Sequence, residues 1–265
     1  MKDIQEERKT MKPDASTERE VVIDIKNLKK SFGKLDVLTN IHLKLYKGEN
    51  LVVLGKSGTG KSVLIKCIVR LLDPDSGTIE VLGQEVSTMN NKDLENVRKK
   101  IGFLFQSGAL YDSMTVKQNL EFPVNRIRKD LKGPVILQKI EEALANVGLP
   151  DALNTMPSEL SGGMRKRISL ARTIVVDPLI MLYDEPTTGL DPVTSDEISL
   201  LINEVQKKYK TSSIIITHDI ECARATADRI IMLSEGEVYY EGTIEDFDNS
   251  TDPLISSFFK KQNHE

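Results

Sequence analysis

Apolar and polar residues alternate twice near the start of the chain. VVIDIKNL, beginning at Val21, has a period of two, and LTNIHLKL repeats that period after a turn at Gly33. Such alternation predicts two antiparallel strands, each with one dry and one wet face. NLVVLG (50–55) is a continuous apolar run that ends in glycine. A run of that kind predicts a strand covered on both faces. KSVLIKCIVRLL (61–72) has helical spacing, and Asp73-Pro74 is expected to end the helix. GTIEVLG (77–83) and IGFLFQ (101–106) read as further strands.

Between Thr115 and Pro157 the pattern changes register. VILQKIEEALANVG (135–148) is an amphipathic helix closed by Gly148. Pro123, Pro134, Pro150 and Pro157 punctuate the region. It reads as part of a helical subdomain, 107–176, inserted into an α/β framework. Next come a helix from Gly162, a strand LIMLYDE (179–185) and a helix within 192–209. A strand SSIIITH (212–218), a short helix and a hairpin RIIMLSEGEVYYEG follow. Buried strands alternating with helices imply an α/β fold around a mostly parallel sheet. The last segment, 246–265, is expected to be a helical tail. Its stripe of Leu254, Ile255, Phe258 and Phe259 suits docking on the core.

Charge narrows the function. Among 265 residues, 36 are basic and 40 acidic, for a net charge of −4. That balance excludes nucleic acid held by bulk positive charge, so any anion site must be local. Residues 1–20 carry 11 charged side chains and read as a flexible, solvated tail ahead of a domain over 21–245. No segment approaches the about 18 uncharged apolar residues of a membrane span. The most apolar stretch, Ile174 to Tyr183, is interrupted by Asp177 and Pro178. MKDIQEERKT lacks the apolar core of a secretory signal. Two cysteines, Cys67 and Cys222, are too few for a disulfide framework, so a reducing cytoplasmic setting is expected.

One local anion site is written plainly. Gly55-Lys56-Ser57-Gly58-Thr59-Gly60-Lys61-Ser62 fits G-x-x-x-x-G-K-[ST], between a buried strand and a helix. Glycines let the backbone curl so that successive N–H groups face one anion, and the helix start adds partial positive charge. Lys61 would reach the β and γ phosphates and Ser62 would ligate Mg2+. A glycine-rich turn without a ligand is the bland alternative, and the strand–loop–helix context argues against it.

LIMLYDE puts Asp184 and Glu185 at the end of an apolar strand, where α/β sheets place their ligands. Asp184 suits a second Mg2+ anchor and Glu185 a general base that polarises water. Adjacent strand residues point to opposite faces, so this pair must lie where the strand ends and turns. His218 closes a strand expected beside that one, within reach of a γ-phosphate. Gln106 ends its own strand and could ligate the metal or hold the attacking water. Leu160-Ser161-Gly162-Gly163-Met164 opens a helix with a hydroxyl and two unobstructed N–H groups. An ordinary N-cap would look the same, but a second cradle suits the far side of an ATP held by another subunit.

Together these segments resemble the nucleotide-binding subunit of ATP-binding-cassette (ABC) transporters, from residue 21 to about 245 in the expected order. GKSGTGKS matches the Walker A, Gln106 the Q-loop, LSGGM the signature and LIMLYDE the Walker B. Gly189-Leu190-Asp191-Pro192 matches the D-loop and His218 the switch histidine. Phe32 sits where the family places an aromatic on the adenine. The resemblance implies a P-loop NTPase core with an antiparallel β subdomain and a helical subdomain. It also implies ATP and Mg2+, and a homodimer that sandwiches two ATPs head to tail.

Finer likeness narrows the subtype. SGGMRKRISLAR, FQSGALYDSMTVKQNLEFPV (105–124) and MLYDEPTTGLDPVTS (181–195) resemble the Mla/Mce lipid-trafficking ATPases. Those work at the cytoplasmic face of the inner membrane with a multipass permease and an MCE-domain lipid-binding protein, in some cases with a STAS-domain regulator. The resemblance therefore implies phospholipid transport. Osmoprotectant importers share the SGGM signature but commonly append a C-terminal regulatory domain. Cytosolic ABC ATPases of iron–sulfur assembly are of similar length. Leu110, Tyr111, Met114 and Val116 would line a permease-docking groove in a transporter, and core packing would explain the same residues.

Overall fold

The computed structural model describes residues 19–259, so residues 1–18 of the charged tail and 260–265 at the other end lie outside the described residues. The two alternating stretches form strands β1 (Val21–Phe32) and β2 (Leu35–Tyr46), paired antiparallel around Gly33. β4 (Ser76–Val81) pairs antiparallel with β1, and the two-residue β5 (Gln84–Glu85) completes that edge. The continuous apolar runs become the centre. β3 (Asn50–Leu54), β7 (Ile180–Asp184) and β8 (Ser212–Thr217) are buried at every position. With β6 (Ile101–Leu104) and β9 (Arg229–Ser234) they make a parallel set in the order β9-β3-β8-β7-β6. β10 (Glu237–Gly242) returns antiparallel to β9 and joins β2 through one pairing, Glu237 with Asn40.

The central strands divide two cores by their alternation. Val52, Leu54, Met181 and Tyr183 face one side, whereas Leu51, Val53, Ile180 and Leu182 face the other. The second side is closed by the antiparallel strands, by α1 (Lys61–Ile68) and by α2 (Asn91–Arg98). The first side holds α3 (Val116–Ile127), α4 (Gly133–Asn146), α5 (Gly162–Ile174) and α6 (Pro192–Tyr209). α7 (Ile220–Thr226), α8 (Ile244–Asp248) and α9 (Pro253–Phe259) complete it. In α9, Ile255 and Phe259 are buried and Leu254 and Phe258 pack beside them. Among the described residues no helix is long and apolar enough to cross a membrane.

Two local expectations fail, and one helix was not foreseen. α1 stops at Ile68 rather than at Asp73, because Arg70 turns left-handed (φ 49°) and Leu71 and Leu72 donate back to the Lys66 carbonyl. Arg98 then takes the Val69 and Arg70 carbonyls, so a distant arginine satisfies the helix end. Pro123 does not punctuate anything: it lies inside α3, where it costs one rung of the ladder. α2 was not legible as a helix, since only Leu94 and Val97 are buried in it. It is started by Asn90, whose side chain accepts from the Asp93 N–H.

Candidate active site

The loop after β3 curls because its glycines permit it. Gly60 caps α1 at φ 93°, and a Cβ there would sit 2.7 Å from Leu38 and 3.0 Å from the Val37 carbonyl. A Cβ on Gly55 would meet Thr59 Oγ1 at 2.6 Å. α1 carries no acidic residue in its first turn, so its positive end is uncompensated. Lys61 is buried at the base of the loop, and its Nζ donates to the Gly55 carbonyl at 2.7 Å and the Lys56 carbonyl at 3.1 Å. Burial holds its pKa below the usual lysine value, against the opposing pull of Glu185 and Asp184.

β7 delivers the carboxylates. Asp184 is its last residue, and Ser62 Oγ donates to Asp184 Oδ1 at 2.9 Å. Burial raises the Asp184 pKa, with the Ser62 hydrogen bond working the other way. Glu185 leaves the strand in the left-handed region (φ 50°), which resolves how neighbours on one strand can serve one site. Its N–H donates to the Ile216 carbonyl at 2.9 Å, tying it to β8. Its Oε2 accepts from Thr188 Oγ1 at 3.1 Å and lies 2.8 Å from His218 Nδ1, while Oε1 lies 3.7 Å from Lys61 Nζ. The strand order β3-β8-β7 makes this meeting possible, because His218 follows β8 between the other two.

Lys61, Ser62, Asp184, Glu185 and His218 thus form one contiguous polar cluster. The other expected residues stand outside that network. Phe32 ends β1 with its ring 45% exposed and the Lys30 ammonium 5.4 Å from its centroid. Gln106 is exposed, and its carbonyl accepts from Lys166 Nζ at 2.6 Å. Ser161 caps α5 by accepting from the Met164 N–H, with Ser161 and Gly162 exposed. Gly163 must be small, since a Cβ would sit 2.6 Å from Thr194 Cγ2. Lys56, Ser57 and Gly58 are exposed on the loop. In the expected groove, Val116 is core, while Tyr111 is exposed against Phe122.

Two residues in the site were missed. Thr188 holds the Glu185 carboxylate. Lys166 is buried in α5, and besides Gln106 it donates to the Glu185 carbonyl at 3.3 Å. A signal existed for the second: Lys166 falls in register with the buried stripe of Ser169, Leu170 and Ile174.

The sequence profile described as ABC transporter matches residues 38–188, more than half of the chain. The chain belongs to the ABC transporter family. It is 37% identical to the intermembrane phospholipid transport system ATP-binding protein MlaF of Haemophilus influenzae, over 90% of each chain. It is 36% identical to the chloroplastic protein TRIGALACTOSYLDIACYLGLYCEROL 3 of Arabidopsis thaliana, over 90% of this chain and 73% of that one. It is 39% identical to the probable ribonucleotide transport ATP-binding protein mkl of Mycobacterium tuberculosis, over 93% of this chain and 69% of that one. Among solved structures, a dimeric bacterial ABC transporter cassette superposes with a TM-score of 0.78 at 30% identity, over 84% of this chain and 98% of that one. The same cassette has been seen as a dimer in a post-hydrolysis state bound to ADP and Pi.

As an ABC ATPase the chain hydrolyses ATP with Mg2+ as the ATPase subunit of a transporter. The residues fit that pair. Ser62 and Asp184 offer adjacent hard oxygens, and Mg2+ commonly takes one or two protein oxygens and fills its shell with phosphate and water. The glycines let the loop curl, with Gly58 and Gly60 at positive φ and a Cβ on Gly60 barred by Leu38.

Proposed function

We propose that two copies of this chain close head to tail around two ATPs and drive a separate multipass permease that moves phospholipid or another lipid between membranes. The observation that carries the hydrolytic half is the cluster joining Lys61, Glu185 and His218 across three neighbouring strands. In this reading Gly55, Lys56, Ser57, Gly58, Thr59 and Gly60 wrap the phosphates. Lys61 exchanges loop carbonyls for β and γ oxygens, and Phe32 stacks on adenine. Ser62, Asp184 and Gln106 would hold Mg2+, which would supply charge neutralisation to the phosphates. Glu185 takes the proton of the attacking water, with His218 beside the γ-phosphate. Ser161 and Gly162 are exposed at the start of α5 with Gly163 half-buried behind them, as a surface that covers the partner subunit's ATP requires.

The working domain spans 21–245, with the helical subdomain at about 107–176 and a helical tail beyond it. ATP closes the dimer because it binds the closed state better than ADP does, and closure moves the helical subdomains against the permease. The lipid reading rests on the likeness to MlaF, which extends over 90% of both chains. An MCE-domain protein and a STAS-domain regulator are the partners that reading brings, at the cytoplasmic face of the inner membrane. The likeness to mkl favours a second reading, transport of a small solute.

The test is a mild-detergent pull-down of Glu185→Gln from its native cell, with mass spectrometry of partners and lipid. A multipass permease with an MCE-domain protein and phospholipid supports the proposal. A permease with a soluble binding protein and no lipid favours the solute reading. Soluble partners alone, such as iron–sulfur scaffolds, overturn transport and leave the ATPase standing.

A further inference from the structure

The hydrolytic scheme gives Lys166 no task, yet the fold leaves this lysine only 7% exposed. A buried cation is costly unless its donors are satisfied and its charge is opposed. A methionine would fill much the same slot without that penalty. What the ammonium supplies is two hydrogen bonds, to the carbonyl of Gln106 at 2.6 Å and the carbonyl of Glu185 at 3.3 Å.

Both carbonyls belong to residues that the proposed function places around Mg2+ and the attacking water. Glu185 holds a left-handed backbone that a residue with a side chain adopts only when its surroundings enforce it. Its N–H is fastened to β8 and its carbonyl to Lys166, so those two bonds set the direction of its carboxylate. The Gln106 segment is gripped along successive turns of α5. Lys166 holds the Gln106 carbonyl, Arg172 holds the Ala109 carbonyl, and Gly108 approaches Ser169 so closely that a Cβ would lie 2.6 Å from its Oγ. Residues 106–109 and α5 therefore move as one body. The other end of that body is Ser161, five residues and about 7.5 Å along the axis from Lys166 at the helical rise.

We propose that Lys166 is a positioning residue that couples the two ATP sites of the dimer. It locks Gln106 and Glu185 of its own subunit to the helix whose Ser161–Gly163 end covers the partner subunit's ATP. The inference rests on the sandwich dimer of the proposed function. Seating α5 on the neighbouring nucleotide sets the backbone under Glu185, so each site becomes competent when the other is filled. The coupling is mechanical, and its link to Glu185 runs through Lys166.

The test compares Lys166→Met, which keeps length and loses the donors, with Lys166→Arg, which keeps a cation and N–H donors. Steady-state hydrolysis by the full chain is followed against ATP, and ATP affinity is measured by equilibrium binding. Lys166→Met is expected to lose about tenfold or more in kcat, as a misplaced reacting group does. Its ATP affinity should stay within about twofold and its Hill coefficient fall toward one. Lys166→Arg should recover about a third or more of the turnover. Wild-type kcat and Hill coefficient in Lys166→Met overturn the inference. A kcat loss matched by equal loss of ATP affinity, or one that Lys166→Arg does not rescue, marks a structural role and overturns it too. If Lys166→Met does not fold, Lys166→Leu, which also has no donor, carries the same comparison. ATP-dependent dimerisation of Glu185→Gln, followed by light scattering, separates the two layers. No dimer overturns the sandwich, whereas a dimer with wild-type turnover in Lys166→Met overturns the coupling alone.

Discussion

Glu185→Gln keeps the shape of the side chain and removes one charge from a nearly closed site. The carboxylate has two neighbours on Oε2, Thr188 Oγ1 at 3.1 Å and His218 Nδ1 at 2.8 Å, and Lys61 Nζ at 3.7 Å from Oε1. An amide oxygen still accepts on one side, but its NH2 cannot take a proton from water. General-base catalysis contributes about 10²–10⁴ in rate. At 1.36 kcal/mol per tenfold, that is about 2.7–5.4 kcal/mol of barrier. Binding should move the other way. Two unit charges about 4 Å apart attract by roughly 4 kcal/mol at an effective dielectric near 20, before desolvation is subtracted. Removing the Glu185 charge releases Lys61 from part of that attraction and removes a repulsion on the phosphates. Single-turnover hydrolysis and equilibrium ATP binding check both halves. The expected outcome is turnover down by about 10²–10⁴ with ATP affinity equal or tighter. Turnover within about threefold of wild type refutes the assignment of the base.

Other perturbations follow from the same geometry. Burial raises the Asp184 pKa, so its charged form weakens the fold at neutral pH, and Asp184→Asn should raise the nucleotide-free melting temperature while abolishing Mg2+-dependent hydrolysis. The stability gain should be full above the raised pKa and fade as pH falls toward the ordinary aspartate value, where wild-type Asp184 also becomes neutral; calorimetry across pH checks the sign. Gly60→Ala forces a Cβ to within 2.7 Å of Leu38 at φ 93°, and should cost roughly 1–3 kcal/mol in denaturant melts along with ATP affinity. Tyr183 is fully buried and its hydroxyl has no hydrogen-bond partner among the described residues. Tyr183→Phe should therefore stabilise the chain by about 1–3 kcal/mol in the same melts, and a loss of stability would reveal a bonded hydroxyl.

The parts legible in the sequence are those where local chemistry and global position agree. NLVVL and IMLYD are apolar throughout because both faces of those strands are covered, and each ends at the site it serves. The glycine-rich loop was legible because backbone curvature by itself calls for its glycines, although Leu38 and Val37 also press on Gly60. What stayed hidden depends on partners far along the chain. The end of α1 is set by Arg98, 28 residues beyond Arg70, so Asp73-Pro74 was a misleading stop. Pro123 is carried inside α3, between the buried Leu120 and Val124, so tertiary packing overrides a local breaker. Lys166 reads as one more polar residue in MRKR until the helix is wound and its place in the buried stripe emerges.

The sheet is continuous by connectivity, yet its two portions meet at a seam. β2 and β10 share one backbone pairing, Glu237 with Asn40. Beyond it, the Thr39 N–H donates to the Gly236 carbonyl at one end, Arg229 reaches the Lys44 carbonyl at the other, and one apolar core lies under both portions. Gly236 is small because the two backbones nearly touch there, and a Cβ would lie 2.9 Å from the Val37 carbonyl. Phe32 stands on one side of this seam and the loop before α1 on the other. A nucleotide reaching from ring to loop spans a joint rather than a plate. Its rigidity would add to that of the sheet, much as a splint does across two boards that share a backing but are thinly joined along their edge.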